Sequence, residues 1–263
     1  MNHNFQMYSS EDQRRRKMDF VMDAGQTLLE NGAEVARVEQ TMEIMAKCYH
    51  LNEFRVYVLT NGIFASAGTA EISEIRHVPN RSIHLDRIAA VNELSRDIAA
   101  GKVDFMHAER RLRNAASLKA PSPAAQIIAS AFGSLSFAVL FGASLPEGII
   151  SAIAGMILGW YTIKTGKVLK AMFQRLSGAA LVTVICVLLC TIYDLPASHS
   201  IIGALMLLTP GVSFTMSIRD FVHADYLSGI IQLIDAVIIS ASIACGAGLA
   251  IGLIEYFTGM VIL

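Results

Sequence analysis

The apolar positions of this chain change rhythm at about residue 120. Before that point they recur at the three- and four-residue spacing of amphipathic helices, with one alternating stretch among them; after it they run on with little polar interruption. From about Glu11 to Asn31 the residues Met18, Val21, Met22, Gly25, Leu28 and Leu29 predict a first helix, and Gly32 supplies its C-terminal cap. A second helix is predicted from about Glu34 to His50, with Val35, Val38, Met42, Met45 and Ala46 on one face. Phe54 to Thr60 alternates as a strand does, Asn61-Gly62 is a hairpin signal, and Ile63 to Ala67 reads as the returning strand, with a third strand over Glu71 to Val78. Pro79 and Asn80 break the chain, and two more amphipathic helices follow, over 85–100 and 104–117. Residues 1–120 therefore predict a small α+β domain.

Pro121 and Pro123 mark the junction, and the apolar segments 124–142, 147–164, 177–193, 199–218 and 227–252 or further predict about five membrane-spanning helices. The expected fold is a polytopic α-helical membrane domain, residues 121–263, behind an N-terminal α+β domain. The fourth segment contains LLTPGVSFTMSIRDF, Leu207 to Phe221, in which Pro210 and Gly211 remove a backbone donor and loosen the helix inside the apolar run. Thr209, Ser213 and Thr215 place hydroxyls around the break. Transporters use such interruptions to present backbone groups to a substrate; the plainer reading is a proline kink absorbed by neighbouring helices.

Charge divides the chain at the same place. Of 21 Lys and Arg and 22 Asp and Glu, residues 1–123 hold 16 of each class. That balance excludes a nucleic-acid patch in the first half. The Lys and Arg of the second half fall in alternate loops: Lys164, Lys167, Lys170 and Arg175 after the second span, Arg219 after the fourth, none after the first or third. With the basic residues of the N-terminal half, this predicts a cytoplasmic N-terminal domain. The polar opening, which ends in Arg14-Arg15-Arg16-Lys17, does not read as a signal peptide. Cys48, Cys186, Cys190 and Cys245 have no metal spacing, and His77, His84 and His107 share none with them. No phosphate loop or nucleophile turn is present, so neither a cofactor nor an enzymatic activity is expected. Asp235, about two turns into the last span, is an intramembrane acid suited to proton coupling or substrate contact, and Asp220 and Asp225 flank Arg219. Arg37 and Glu39 lie two apart, too close in sequence to pair across a helix turn, and read as solvated surface.

The stretch LLENGAEVARVEQTMEIMAKCYHLNEFRVYVLTNGIFAS resembles the opening of the threonine/serine exporter family, DRIAAVNELSRDIAAGKVDFMHAERRL its later cytoplasmic helices, and LLTPGVSFTMSIRDFVHADYLSGIIQLIDA its Pro-Gly span and the start of its last span. The resemblance implies an inner-membrane exporter of small polar metabolites. It carries Gly32, Arg37 and Glu39 over in the N-terminal domain, and Pro210, Gly211, Asp220 and Gly229 in the membrane. Family members often have arginine where this chain has Gln232, which bears on substrate charge. The family also occurs as two polypeptides, a larger one like this and a small membrane partner supplying the second transmembrane half; split forms are associated with export of dicarboxylates such as succinate.

Two other classes compete. A membrane-anchored enzyme would work around Arg37, Glu39 and Thr60, but no nucleophile, base and orienting group share a recognisable spacing. A sensor would bind a metabolite in the cytoplasmic domain and signal through the spans. The transporter reading uses Thr209, Pro210, Gly211 and Ser213 for substrate, with Arg219, Asp220, Gly229, Gln232 and Asp235 for binding, gating or coupling.

Overall fold

The computed structural model describes residues 10–68, 72–78, 82–166 and 168–259. The chain folds as two units, one of Met1–Ala120 with Met216–Gln232, the other of Pro121–Thr215 with Leu233–Leu263.

The first unit is built on two long helices, α1 (Ser10–Glu30) and α2 (Val35–Cys48), with a three-stranded antiparallel sheet, β1 (Arg55–Leu59), β2 (Gly62–Ala67) and β3 (Ile72–His77), and the helices α3 (Leu85–Ala99) and α4 (Phe105–Ala116). The apolar stripes read from the sequence are the buried ones. Met18, Val21, Met22, Leu28 and Leu29 of α1 interlock with Val35, Val38, Met42 and Met45 of α2, and Val58, Ile63, Leu94, Ile98 and Leu112 complete this core.

Gly32 ends α1 as expected, and its geometry accounts for the glycine. Its φ is +86°, its N–H donates to Leu29 and that of Ala33 to Leu28, the paired bonds of a Schellman cap. A Cβ there would also stand 3.2 Å from the Ser82 carbonyl. Gly32→Ala is expected to cost about 1–2 kcal/mol from the left-handed backbone alone; a variant melting with the wild type would show that the cap is not held in this geometry.

The hairpin differs from the expected one by a residue. Leu59 pairs with Gly62, so the turn is Thr60-Asn61 and Gly62 is the first residue of the central strand, paired also with His77. Its lack of a side chain answers close approach: a Cβ on Gly62 would lie 3.3 Å from the Arg76 carbonyl of β3.

The second unit is helical. Among the described residues four helices are long and apolar enough to cross a membrane: α5 (Pro123–Leu140), α6 (Leu145–Thr165), α7 (Ala171–Ile192) and α10 (Tyr226–Thr258). Between α7 and α10 the segment expected as one interrupted span is two helices, α8 (Ser198–Leu205) and α9 (Gly211–Val222), of eight and 12 residues. The unit boundaries cut α9 after Thr215 and α10 after Gln232.

Small residues bring α5 against its neighbours. A Cβ at Gly155 of α6 would stand 2.5 Å from Ser134 Cβ, and one at Gly203 of α8 would stand 2.5 Å from Ala138 Cβ, both on α5. In lipid, such backbone approach does the work that apolar burial does in water. Ser134 Oγ donates to the Ser151 carbonyl at 2.7 Å, tying α5 to α6 where the two touch.

Candidate functional site

The break between α8 and α9 raises the question of where its backbone groups find partners, since a polar group left unsatisfied in an apolar medium costs roughly 2–7 kcal/mol. Most are satisfied by tightening the last turn of α8. Leu207 and Leu208 N–H donate three residues back to Ala204 and Leu205, Thr209 N–H donates to Met206, and Thr209 Oγ1 returns to the Leu205 carbonyl at 3.3 Å. Gly211 N–H donates to the Thr209 carbonyl, and α9 starts with Phe214 N–H on the Pro210 carbonyl. The Leu208 carbonyl is taken by a side chain: Arg175 Nη1 of α7 donates to it.

The sequence pattern puts Arg175 among the loop bases because the apolar run begins at residue 177, whereas α7 begins at Ala171 and carries Arg175 in its second turn. An arginine within an apolar helix costs up to about 3 kcal/mol on insertion scales, so its place at the break needs a reason. A signal was available: Gln174 and Arg175 directly precede the run, and a helix can begin before such residues. Around Arg175 the neighbouring polar groups are engaged with one another. Gln174 Nε2 donates to the Thr162 carbonyl and to Thr165 Oγ1, at 2.8 and 2.9 Å, and Tyr161 Oη meets Ser177 Oγ at 2.7 Å.

Of the residues read from the sequence at the break, Thr209 is exposed with its hydroxyl bonded back to α8, Pro210 and Ser213 are half-buried, and Gly211 is exposed, with nothing within 4 Å of a Cβ placed on it. Thr215 Oγ1 donates to the Gly211 carbonyl. Gly211 thus leaves open space beside the break rather than permitting a close contact. Asp235, in the third turn of α10, is exposed.

A second polar group lies in the first unit, at the end of α9 and the start of α10. Asp220 is 2% exposed and accepts a hydrogen bond from Gln232 Nε2 at 2.5 Å. Gly229 brings the two helices together, since a Cβ there would stand 2.8 Å from the Phe221 ring and 3.2 Å from the Ser217 carbonyl. The hydroxyls of Ser217 and Ser228, on the same two helices, are fully buried and have no hydrogen-bond partner among the described residues. Arg219 Nε pairs with Glu34 Oε1 at 2.6 Å; the carboxylate is buried at the start of α2, the guanidinium more than half exposed. The structure therefore brings Asp220, Gly229 and Gln232 together and turns Arg219 towards Glu34, a partner the sequence does not suggest.

In the N-terminal motif, Arg37 is exposed, whereas Glu39 is half-buried and accepts the Val58 N–H of β1 at 2.8 Å. The solvated-surface reading fits the first and not the second. Thr60 is buried in the hairpin turn with its hydroxyl unpartnered among the described residues. Burial raises the Glu39 carboxyl above its ordinary value of 4.5, the Val58 amide opposes this, and the Asp225 and Glu43 carboxylates add to the rise. A carboxyl raised in the folded state gives stability that is complete below 4.5 and is lost as pH rises through its folded value. Glu39→Gln removes that contribution, so the melting temperature of the wild type should gain on the variant as pH falls from about 8 to about 4. An offset that stays constant over that range would mean that burial does not govern Glu39.

The sequence also holds one signal that the motif reading does not use. Ser144 and Glu147 form a capping box at the start of α6, with Glu147 Oε2 accepting Ser144 N–H at 2.6 Å, and His199 Nδ1 of α8 lies 3.2 Å from Glu147 Oε1. The Ser-x-x-Glu spacing is readable; its meeting with a histidine 52 residues away is not.

A family model described as "Putative threonine/serine exporter" matches residues 19–254. The chain belongs to the threonine/serine exporter family. A curated relative named "Probable threonine/serine exporter", from Mycobacterium tuberculosis (strain ATCC 25618 / H37Rv), is 24% identical over 242 residues, covering 88% of this chain and 45% of the relative. The chain thus spans about half the length of that relative. No solved structure matches it. Membership and the apolar helices together make this a multi-pass membrane protein of a transport family.

Proposed function

We propose that this chain is one component of an inner-membrane exporter for small polar metabolites, threonine and serine or dicarboxylates such as succinate, acting with a small membrane protein that supplies a second transmembrane half. The observation that carries this reading is the interrupted segment: two short helices, α8 and α9, joined by a turn at Met206–Pro210 where the Leu208 carbonyl is taken by the Arg175 side chain instead of by the helix. Discontinuous helices of this kind present backbone groups to substrate in transporters. In this reading α8, the turn and α9 together make one of five crossings, and residues 1–120 face the cytoplasm, in keeping with the basic residues of the first half and of alternate loops. The partner rests on the resemblance to the two-polypeptide form of the family, in which a larger chain like this acts with a small membrane protein. Thr209, Pro210, Gly211 and Ser213 then border the substrate path, and Asp220 with Gln232 serves in gating or coupling. The family reading leaves no role for catalysis or a cofactor.

The test is efflux from cells loaded with labelled threonine, serine and succinate, comparing cells that hold this chain alone, this chain with the candidate small partner, and neither. Faster loss of one compound only with both chains is the expected result. Unchanged loss of all three, with the protein inserted, contradicts the proposal for these substrates. Pro210→Ala and Asp220→Asn are each expected to lower efflux at least tenfold, about 1.4 kcal/mol or more, while leaving insertion intact; full efflux in both would remove the break and Asp220 from the transport path.

A further inference from the structure

Arg175 holds a charge that its surroundings do not neutralise. It is half-buried in an apolar helix, and among the described residues no carboxylate lies within ion-pairing distance of it. Its hydrogen bond goes to a neutral acceptor, the Leu208 carbonyl. The polar side chains of the adjoining turns, Gln174, Ser177, Tyr161 and Thr165, are bonded to one another or to backbone carbonyls and contribute no negative charge. A guanidinium has five N–H donors in a planar fork that matches a carboxylate. Most of them therefore remain for another acceptor, beside a break where Gly211 leaves space.

We propose that Arg175 binds the carboxylate of the transported molecule at the break between α8 and α9. The inference rests on the exporter reading and adds to it the group that recognises the substrate's acid function. On binding, the carboxylate takes the fork and the Leu208 carbonyl is released. Because that carbonyl is the last before Thr209-Pro210-Gly211, arrival of an anion loosens the turn that joins the two helices. The neutral carbonyl holds the charge in place until the ligand exchanges for it.

Calorimetric titration of the full chain in lipid nanodiscs, alone and with the candidate partner, tests this with two matched pairs: succinate against succinamide, and threonine against threoninamide. The wild type should bind at least one acid about tenfold or more tightly than its amide, the margin expected of a charge-assisted forked contact. Arg175→Gln, which still donates a hydrogen bond, should bring the acid down to the level of the amide and leave the amide unchanged. Arg175→Lys, which keeps the charge without the fork, should retain part of the preference. A merely structural arginine would weaken acid and amide alike, and that result, an unchanged preference in Arg175→Gln, or no binding of either acid to the wild type overturns the proposal. Efflux measured in parallel separates the two readings. Export with an unchanged acid preference in the variant removes Arg175 alone, whereas an abolished preference without export in any preparation removes the exporter reading and keeps the carboxylate site.

Discussion

Gly203→Leu is expected to prevent the second unit from packing. A single Cβ at this position would stand 2.5 Å from Ala138 Cβ and 2.7 Å from both its Cα and its backbone nitrogen. The obstacle is the main chain of α5, which no rotamer change can move. Ala138 is fully buried, so the contact holds no free space for the added side chain. Overpacking against movable side chains costs about 1–3 kcal/mol, and a leucine driven into a helix backbone belongs at or above the top of that range. α8 would lose its close approach to α5, and the hold that α5 has on it through Gly203. The measurement is the yield and monodispersity of the full chain extracted from membranes, with Gly248→Leu as control, since nothing lies within 4 Å of a Cβ on Gly248. The control should behave as the wild type and Gly203→Leu should be aggregated or lost; equal profiles for the two would refute the tight α5–α8 contact.

In the first unit, Gly25 and Met42 should show a reversal of sign. Alanine in place of glycine inside an exposed helix normally stabilises by about 1 kcal/mol. Here a Cβ on Gly25 would overlap Met42 Sδ and stand 3.0 Å from its Cγ, so Gly25→Ala must push a fully buried side chain out of its place in α2 and should destabilise by about 1–3 kcal/mol. Met42→Ala alone removes a buried side chain and leaves a cavity, at about 2–5 kcal/mol. In the double variant the new methyl enters the space left by sulfur and the helix gains its better former. The second substitution is then favourable, and the double variant should be more stable than Met42→Ala by about 1 kcal/mol, which makes the coupling about 2–4 kcal/mol, at or above the upper part of the range seen for residues in contact. Thermal or denaturant unfolding of the four proteins gives the cycle. Simple additivity would mean that α1 and α2 are not in the register described.

Much of this architecture is legible in the sequence because it rests on periodicity. The buried faces of α1 and α2 are the apolar positions three and four apart, the cap at Gly32 follows from glycine after the last such position, and Pro210-Gly211 in an apolar run announces an interruption. What is not legible depends on positions distant in sequence. Asn-Gly by itself favours a turn at Gly62, but the carbonyl of Arg76 on the next strand decides the matter. Arg175 reads as a loop residue because charge sets the apparent edge of a span, and only the partner at Leu208 gives it a reason to be inside a helix. Asp220 and Gln232 are separate candidates in the sequence, and no local pattern shows that they meet, while the pairing of Arg219 with Glu34 joins residues far apart in the chain. Glu39 reads as surface because neighbours two residues apart do not face each other; its acceptor role belongs to a strand amide 19 residues on.

That same bond has a bearing on how newly made chains keep apart. β1 is a lateral strand, with β2 on one side only, and a strand in that position offers unpaired amides to any extended segment that passes. Glu39 occupies the Val58 amide from α2, so a foreign strand that tried to lengthen the sheet there would have to displace a carboxylate and leave it without its donor. One acidic side chain thus works as a guard against templated growth from this edge.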